Sequence, residues 1–341
     1  MVLDFARDFS TIPPQVSELA KLSIENSQID PALYAKYNVK RGLRDRDGKG
    51  VLTGLTEISE VWGHQVIDGV DTEVDGILRF RGYNVEDLIE GFPKNNNFAF
   101  EEVVYLLLFG ELPTEEQFDE FKELLAGYRT LPTHFVRDII MKAPSKDMMN
   151  TLARSVLTLY SYDQNSDDGS PENVLRQCLE LIALFPQLSV YGYQTYKYYH
   201  DGDSFFIHPP LEEFSTAENI LHMVRMDSQF SPLEAKVLDM ALILHAEHGG
   251  GNNSTFTTHV VTSSGSDTYS TTAAALGSLK GPRHGGANIK VMQQMTEMKE
   301  VVKDWKDEEE VAAYLNRLLN RDAFDKSGLI YGLGHAIYTK S

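Results

Sequence analysis

Apolar residues recur at helical spacing along most of this chain, and this pattern constrains its fold more than any other feature. From residue 100 onward they repeat every three to four positions, which is typical of helices that bury one face. The spacing predicts helices over 100–113, 150–163, 172–185, 233–248, 266–281 and 307–320. The fold class we expect is therefore all-α.

Several of these helices carry start and stop signals. Gly110 and Pro113 close the first of them. Thr114, followed three residues later by Gln117, forms a capping box that starts another helix. In 307–320 the acidic residues fall in the first turn, where the helix dipole favours them. These signals place helix ends as well as helices.

Two segments near the N-terminus differ from the rest. Residues 55–89 alternate apolar and polar side chains around Gly69 and Gly76, which predicts a short β-hairpin. Residues 8–42 predict a helical arm with turns at its prolines.

The composition limits the partners and the location. The net charge of −19 disfavours nucleic acid, because a phosphate backbone requires a basic surface. No segment reaches the ~20 consecutive apolar residues of a membrane span, and the acidic N-terminus is not typical of a signal peptide. The single cysteine, Cys178, excludes an intramolecular disulfide and fits a reducing compartment. We expect a cytoplasmic protein whose partners are small molecules, with no membrane and no nucleic acid among them.

Histidines lie in glycine-containing turns of the C-terminal third. His284 lies in GPRHGGAN and His335 in YGLGHAIY. His245 and His248 lie in LHAEHGGGNN at a predicted helix end, and their spacing of three predicts that they share one helix face. Three turns of this kind predict a site built from helix ends.

A neutral histidine ring at a helix N-terminus can donate a hydrogen bond without carrying charge, because the dipole disfavours its cationic form. Such a donor stabilises an oxygen that gains negative charge as a carbonyl becomes an enolate. Two such rings suit carbon–carbon bond formation between an enolised donor and a keto acceptor. A metal site is the rival interpretation, but HAEH is not the H-E-x-x-H zinc pattern and lacks a further ligand at matching spacing. We expect no metal.

These blocks together resemble the citrate synthase family. LHAEHGGGNNSTFTTHV, SDTYSTTAAALGSLKGPRHGGAN, GLGHAIY, GILRFRGYNVEDLI and FEEVVYLLLFGELPT carry the resemblance, which runs over most of residues 50–341. It implies an acyltransferase that condenses acetyl-CoA with oxaloacetate to give citrate and CoA, converting the acyl group into alkyl on transfer. No cofactor is implied, since acetyl-CoA is a substrate. A 2-methylcitrate synthase that uses propionyl-CoA is the close alternative, and a citrate-cleaving lyase is disfavoured because no appended domain is seen.

The resemblance also implies roles for individual residues. His284 would hydrogen-bond the acetyl-CoA thioester oxygen and stabilise the enol, and His335 would polarise and protonate the oxaloacetate carbonyl. His248 would bind oxaloacetate, and Asn252 would help to shape that site. The positions that match the family's contact with the adenine end of CoA are Leu329, Ile330 and Gly332.

Two departures from the family pattern are visible. Gly249 follows HAEH where the family usually has an acid, which we expect to alter the loop but not the chemistry. The family's general base, an aspartate, and the arginines that clamp oxaloacetate come some tens of residues after the position of His335, whereas this sequence stops at Ser341. We therefore expect an incomplete form of a citrate synthase that has no measurable activity in isolation.

The resemblance implies a domain division and an assembly. We expect an N-terminal helical arm, a large helical domain and an incomplete small domain, over residues 1–42, 43–284 and 285–341. Family members are dimers through large-domain helices, and the small residues of 271–279 suit close helix packing. We predict a homodimer. The non-catalytic alternative is a helical dimerisation module.

Overall fold

The computed structural model describes residues 30–37, 56–91 and 99–334. The chain divides into two units between Thr53 and Gly54. The described part of the first unit contains one helix, α1 (Pro31–Lys36), which Asp30 caps by accepting a hydrogen bond from the Ala32 backbone. The rest of the predicted arm lies outside the described residues, and the predicted domain boundaries stay predictions.

The second unit begins with an antiparallel sheet whose strand order is β1-β2-β3. The strands are β1 (Ser59–Ile67), β2 (Val70–Phe80) and β3 (Tyr83–Asn84). β1 and β2 pair from Ser59 with Phe80 to Ile67 with Val70, around a turn at Asp68 and Gly69. The predicted hairpin is thus confirmed. The prediction missed the two-residue third strand, and it missed that residues 85–89 belong to a helix.

The remaining described helices confirm the all-α prediction. They are α2 (Val85–Gly91), α3 (Phe100–Phe109), α4 (Glu115–Gly127), α5 (Met148–Leu159), α6 (Pro171–Tyr196), α7 (Thr216–Val224), α8 (Pro232–Leu244), α9 (Asn253–Thr262), α10 (Thr268–Leu279), α11 (Ala287–Val301) and α12 (Glu308–Leu319). Short π-helical turns lie at Val136–Met141 and Lys197–Asp201, and a 3-10 turn lies at Tyr160–Tyr162. None of the described helices combines the length and apolar character that a bilayer crossing requires.

The predicted helix ends around residue 110 are confirmed. Gly110 ends α3 in the left-handed region, with φ 86°, and its backbone N–H donates to the Leu106 carbonyl. The Thr114 backbone N–H donates to Gln117 Oε1 at 2.8 Å, and the Gln117 backbone N–H donates to Thr114 Oγ1 at 3.3 Å. The capping box therefore starts α4 as its sequence indicates.

Helix α6 is much longer than predicted: the prediction stopped at Phe185, just before Pro186, and the helix continues to Tyr196. An interior proline removes one backbone hydrogen bond and usually kinks or ends a helix. Here the residues on both sides of it are buried, including Leu184, Leu188 and Tyr191. Burial of these large side chains offsets the local cost at the proline.

The main hydrophobic core lies between α5, α6, α7 and α10, and Leu184 and Tyr269 are among its fully buried members. A second cluster packs the sheet against α3 and α8 around Phe80, Leu106 and Ile243. A separate small cluster joins α11 and α12; it comprises Met298, Val302, Tyr314, Leu318 and Ala323.

Two carboxylates form hydrogen bonds that hold α8 and α10 against neighbouring elements; these helices precede the histidine-containing turns. Asp239 on α8 accepts hydrogen bonds from the backbone N–H groups of Ala99 (2.9 Å) and Phe100 (3.2 Å), and so caps α3 from a distance. Burial raises the pKa of Asp239 to about 6, and the carboxylates of Glu101 and Glu218 also raise it.

Asp163 fastens α10 to α6. Its Oδ2 accepts from Arg176 at 2.6 Å, from the Gln177 amide at 3.0 Å and from the Tyr269 hydroxyl at 2.9 Å. Desolvation opposes ionisation here, yet hydrogen bonds from Gln177, Arg176, the Asn165 backbone and Tyr269 lower the pKa of Asp163 to about 2.

Candidate active site

The first histidine-bearing turn follows α8 and comprises residues 245–252; we call it the HAEH turn. Helix α8 ends at Leu244, so His245 caps it and His248 lies beyond it. The prediction that these two histidines share one helix face is therefore wrong. The apolar spacing runs through HAEH without a stop signal, whereas the His245 ring nitrogen Nδ1 forms a 2.7 Å hydrogen bond with the Ala241 carbonyl at the helix end.

The turn ends where α9 begins. Asn252 caps this helix, because its Oδ1 accepts from the backbone N–H groups of Ser254 (2.8 Å) and Thr255 (3.2 Å). The first turn of a helix presents unpaired N–H groups and the positive end of the dipole. His248 and Asn252 thus precede a helix N-terminus that favours an anionic ligand.

Helix α10 packs against α9 and α5. The Asn253 amide donates to Ser278 Oγ at 2.7 Å, and the Ser254 hydroxyl lies 3.2 Å from the Ala275 carbonyl oxygen. The small residues of α10 allow these close contacts. Packing within one chain therefore explains the small residues of α10, and they do not by themselves support the predicted homodimer.

The second histidine-bearing turn, residues 281–286, joins α10 to α11; we call it the GPRH turn. The Gly281 carbonyl accepts from the backbone N–H groups of His284 (2.9 Å) and Gly285 (3.0 Å). A Cβ on Gly285 would lie 2.1 Å from the Leu279 oxygen, and one on Gly286 would lie 2.2 Å from the Pro282 oxygen. Gly285 and Gly286 are therefore sterically required.

The His284 ring is half-buried and its Nε2 lies 2.8 Å from Ser254 Oγ. This contact joins the GPRH turn to the first turn of α9, two residues after Asn252. The sequence interpretation did not identify Ser254, because a serine in the polar stretch NNSTFTT carries no local signal. Its partner is thirty residues away along the chain.

The predicted CoA-contact residues lie beside α11. Gly332 has φ 95°, and a Cβ there would lie 3.3 Å from Val291 Cγ2. The buried Gln294 bonds the Tyr331 backbone in both directions, accepting from its N–H at 3.0 Å and donating to its carbonyl at 3.5 Å. Ile330 joins the small α11–α12 cluster and Leu329 is exposed. Gln294 was another residue that the sequence interpretation missed.

His335 lies outside the described residues, so its position relative to His284 stays a prediction. Among the residues that the structure describes, no group of three or more histidine, cysteine, aspartate or glutamate side chains could hold a metal ion. In the HAEH segment, Glu247 Oε1 accepts from the Gly249 backbone N–H at 2.6 Å and from Ser59 Oγ at 3.1 Å.

Comparison with known proteins gives one consistent result. A model of the family described as citrate synthase, C-terminal domain, matches residues 45–341. A 2-methylcitrate synthase of Shewanella oneidensis is 34% identical over 290 residues, which are 85% of this chain and 70% of that protein. A citrate synthase 2 of Bacillus subtilis is 33% identical over 272 residues, which are 79% of this chain and 66% of that protein.

Solved structures agree with these relatives. Citrate synthase from Pyrobaculum aerophilum superposes with a TM-score of 0.65 at 28% identity, covering 86% of this chain and 66% of that one. The citrate synthase from Thermoplasma acidophilum, in a ternary complex with carboxymethyl coenzyme A and oxaloacetate, gives a TM-score of 0.67 at 26% identity, covering 84% of this chain and 66% of that one. The chain thus spans about two thirds of the length of these solved structures.

Proposed function

Because the chain belongs to the citrate synthase family, whose members are acyltransferase-type enzymes, we propose that the protein that contains this chain condenses acetyl-CoA with oxaloacetate to give citrate and CoA. The observation that carries this proposal is the contact between His284 and Ser254, which places a histidine ring beside the N-terminus of α9.

His284 is the proposed donor to the thioester oxygen. The Ser254 hydroxyl has one proton and two acceptors within reach, the Ala275 carbonyl at 3.2 Å and His284 Nε2 at 2.8 Å. When it donates to the nearer acceptor, His284 Nε2, the ring proton resides on Nδ1. The neutral ring then donates from Nδ1 to an oxygen that gains negative charge as the acetyl group becomes an enol. A preorganised donor of this kind typically contributes about 10²–10³-fold to kcat.

The HAEH turn is the proposed site of the keto acid. His248 would bind oxaloacetate, and Asn252 keeps two amide N–H donors that its capping oxygen does not use. The α9 N-terminus favours the substrate carboxylates electrostatically. His335 is the proposed donor to the keto carbonyl, and the backbone at Leu329, Ile330 and Gly332 is the proposed contact for the adenine end of CoA.

Propionyl-CoA is the second candidate acyl donor, which would make the enzyme a 2-methylcitrate synthase. It is favoured by one observation: a relative of that name and a relative named citrate synthase 2 match this chain almost equally, at 34% and 33% identity. The ratio of kcat/KM for acetyl-CoA and propionyl-CoA, measured on the same preparation, decides between them.

A homodimer is the proposed assembly, in a cytoplasmic location. One feature of the second unit supports the dimer. An apolar cavity of about 590 Å³ opens beside α6, lined in part by Cys178, Ile182, Phe185 and Leu242. A second chain would supply apolar cover for it.

The test is an assay of thiol release that depends on both acetyl-CoA and oxaloacetate; this assay and every kinetic measurement proposed below use the whole protein that contains this chain. His284→Ala should lower kcat by roughly 10²–10³-fold, since it removes the oxyanion donor. His259→Ala is the matched control, because His259 is an exposed histidine on α9. Thiol release that is independent of oxaloacetate, or a His284→Ala variant with unchanged kcat, would contradict the proposal.

A further inference from the structure

The HAEH segment contains a glutamate, Glu247, that the reaction proposed above does not use. Its Oε1 accepts two hydrogen bonds, one from the Gly249 backbone N–H at 2.6 Å and one from the Ser59 hydroxyl at 3.1 Å. Ser59 opens strand β1, 188 residues earlier in the chain. A single carboxylate oxygen therefore joins the HAEH turn to the sheet.

Close packing between the HAEH turn and strand β1 reinforces this connection. Gly249 is buried with φ 81°, and a Cβ there would lie 3.3 Å from Val61 Cγ2 on β1. A Cβ on Gly250 would lie 3.7 Å from Thr56 Cγ2. The backbone of the turn thus lies directly against the start of β1, where a side chain on Gly249 would be crowded.

The hydrogen bonds continue from this point to the histidine of the other turn. The Asn252 backbone N–H donates to the Gly249 carbonyl at 3.3 Å, and Asn252 Oδ1 accepts from the Ser254 N–H at 2.8 Å. Ser254 Oγ lies 2.8 Å from His284 Nε2. A continuous series of hydrogen-bonding residues therefore runs from β1 through the HAEH turn to His284.

We propose that Glu247 and Ser59 are positioning residues, which hold the HAEH turn against β1 and so fix His248 and Asn252 for the keto-acid substrate. The identity of that substrate rests on the proposed function, whereas the connection itself rests on the contacts alone. An ionised carboxylate only accepts hydrogen bonds, so it can serve both donors at once. A glutamine keeps an acceptor oxygen at the same place, and an alanine keeps none.

The experiment compares Glu247→Ala, Glu247→Gln and Ser59→Ala with wild type. Glu60→Ala is the matched control: it removes a carboxylate from the neighbouring β1 position, where it pairs with Arg79 at 2.7 Å, without touching the turn. Two quantities are measured on each variant. The first measurement is kinetic and gives kcat and separate KM values for oxaloacetate and acyl-CoA. The second is hydrogen–deuterium exchange of the backbone N–H groups of the HAEH turn.

We expect Glu247→Ala to raise the oxaloacetate KM about tenfold, because a hydrogen bond to a charged group is lost, while the acyl-CoA KM stays within about twofold. Exchange of the turn should become faster. Glu247→Gln should restore both quantities to near wild type, and Ser59→Ala should lie between them. Glu60→Ala should change neither.

The opposite results overturn the inference. It fails if Glu247→Ala raises both KM values equally, if Glu60→Ala has the same effect, or if turn exchange is unchanged without Glu247. Should the whole protein that contains this chain show no oxaloacetate-dependent activity, the proposed function fails, and the exchange data still decide whether Glu247 holds the turn. Should Glu247→Ala not fold, Glu247→Gln and Ser59→Ala provide the same comparison.

Discussion

The two histidine-bearing turns of the candidate site are held in place by different means. Side chains hold the HAEH turn: the Glu247 carboxylate accepts from Gly249 and Ser59, and Asn252 caps the helix that follows. Backbone geometry holds the GPRH turn, where the Gly281 carbonyl accepts two backbone N–H groups and a Cβ on Gly285 would strike a carbonyl oxygen.

This difference determines what each turn can tolerate. A side-chain contact survives a substitution that keeps an acceptor in the same place. A turn that depends on backbone approach has no such substitute, because every residue except glycine adds a Cβ. The contrast extends to the preceding helices: Asp239 fastens α8 through neutral backbone donors, whereas Asp163 fastens α10 through donors that include an arginine.

The largest effect is expected at Gly285. In Gly285→Ala the new Cβ would lie 2.1 Å from the Leu279 oxygen, so the backbone must move. We expect the free energy of unfolding to fall by roughly 3–4 kcal/mol, the upper range for single substitutions, as measured by denaturant titration.

The matched control for that variant is Gly277→Ala, within α10. No atom lies within 4 Å of a Cβ there, and alanine favours a helix over glycine by about 0.5–1 kcal/mol. Equal destabilisation by the two alanines would show that the GPRH turn has no special steric requirement.

Much of this contrast could be read from the sequence, and some could not. Helical spacing, the capping box at Thr114 and the glycines around His284 are local signals, and the structure confirms the elements they predict. The end of α8 at Leu244 was missed because apolar spacing continues through His245. The continuation of α6 past Pro186 was missed because its cause is burial against other helices, which no local pattern encodes.

The site shows the same division more sharply. Ser254 and Glu247 matter through partners 30 and 188 residues away, and Asp239 caps a helix 139 residues before it. Such contacts are fixed by the tertiary fold, so one sequence without its fold does not identify them. The histidines were found because glycine turns mark them locally.

The second prediction concerns pH and the two helix-fastening carboxylates. The pKa of Asp239 is raised to about 6 in the folded protein, so its stabilising contribution is complete below about pH 3.8 and is lost as the pH rises through 6. Wild type should therefore lose about 3 kcal/mol of unfolding free energy from this group between pH 4 and pH 7. Asp239→Asn should lack this loss.

Asp163→Asn provides the opposite case. Because the pKa of Asp163 is lowered to about 2, its contribution is present above about pH 3.8 and is lost as the pH falls through 2. The pH dependence of the unfolding free energy of Asp163→Asn should differ in slope from that of wild type only below about pH 3.8. Chemical denaturation at a series of pH values measures both slopes, and identical profiles for the two variants would contradict the comparison.

The third prediction concerns Ser254, which connects the two turns. Ser254→Ala removes the hydrogen bond that orients the His284 ring, and kcat should fall roughly tenfold because one hydrogen bond is lost. Nitrogen NMR of the ring should show the proton on Nδ1 in wild type and a mixture of tautomers in the variant. Ser263→Ala, at the other end of α9, is the control and should leave both unchanged; an unaltered tautomer in Ser254→Ala would refute the orienting role.

The smallest effect is expected at Gly249, and it separates steric from side-chain control within the HAEH turn. Gly249 has φ 81°, and a Cβ there would lie 3.3 Å from Val61 Cγ2. Alanine in this left-handed conformation costs about 1–2 kcal/mol, and the valine must also shift slightly. Gly251→Ala is the control, because no atom lies within 4 Å of its Cβ and its φ is not positive. We expect Gly249→Ala to lower the unfolding free energy by about 1–2 kcal/mol and Gly251→Ala to leave it nearly unchanged.

Since the hydrogen bond from the residue-249 N–H to Glu247 remains available in Gly249→Ala, the oxaloacetate KM should rise less than in Glu247→Ala. A larger rise in Gly249→Ala would mean that backbone packing, and not the carboxylate, holds this turn as well.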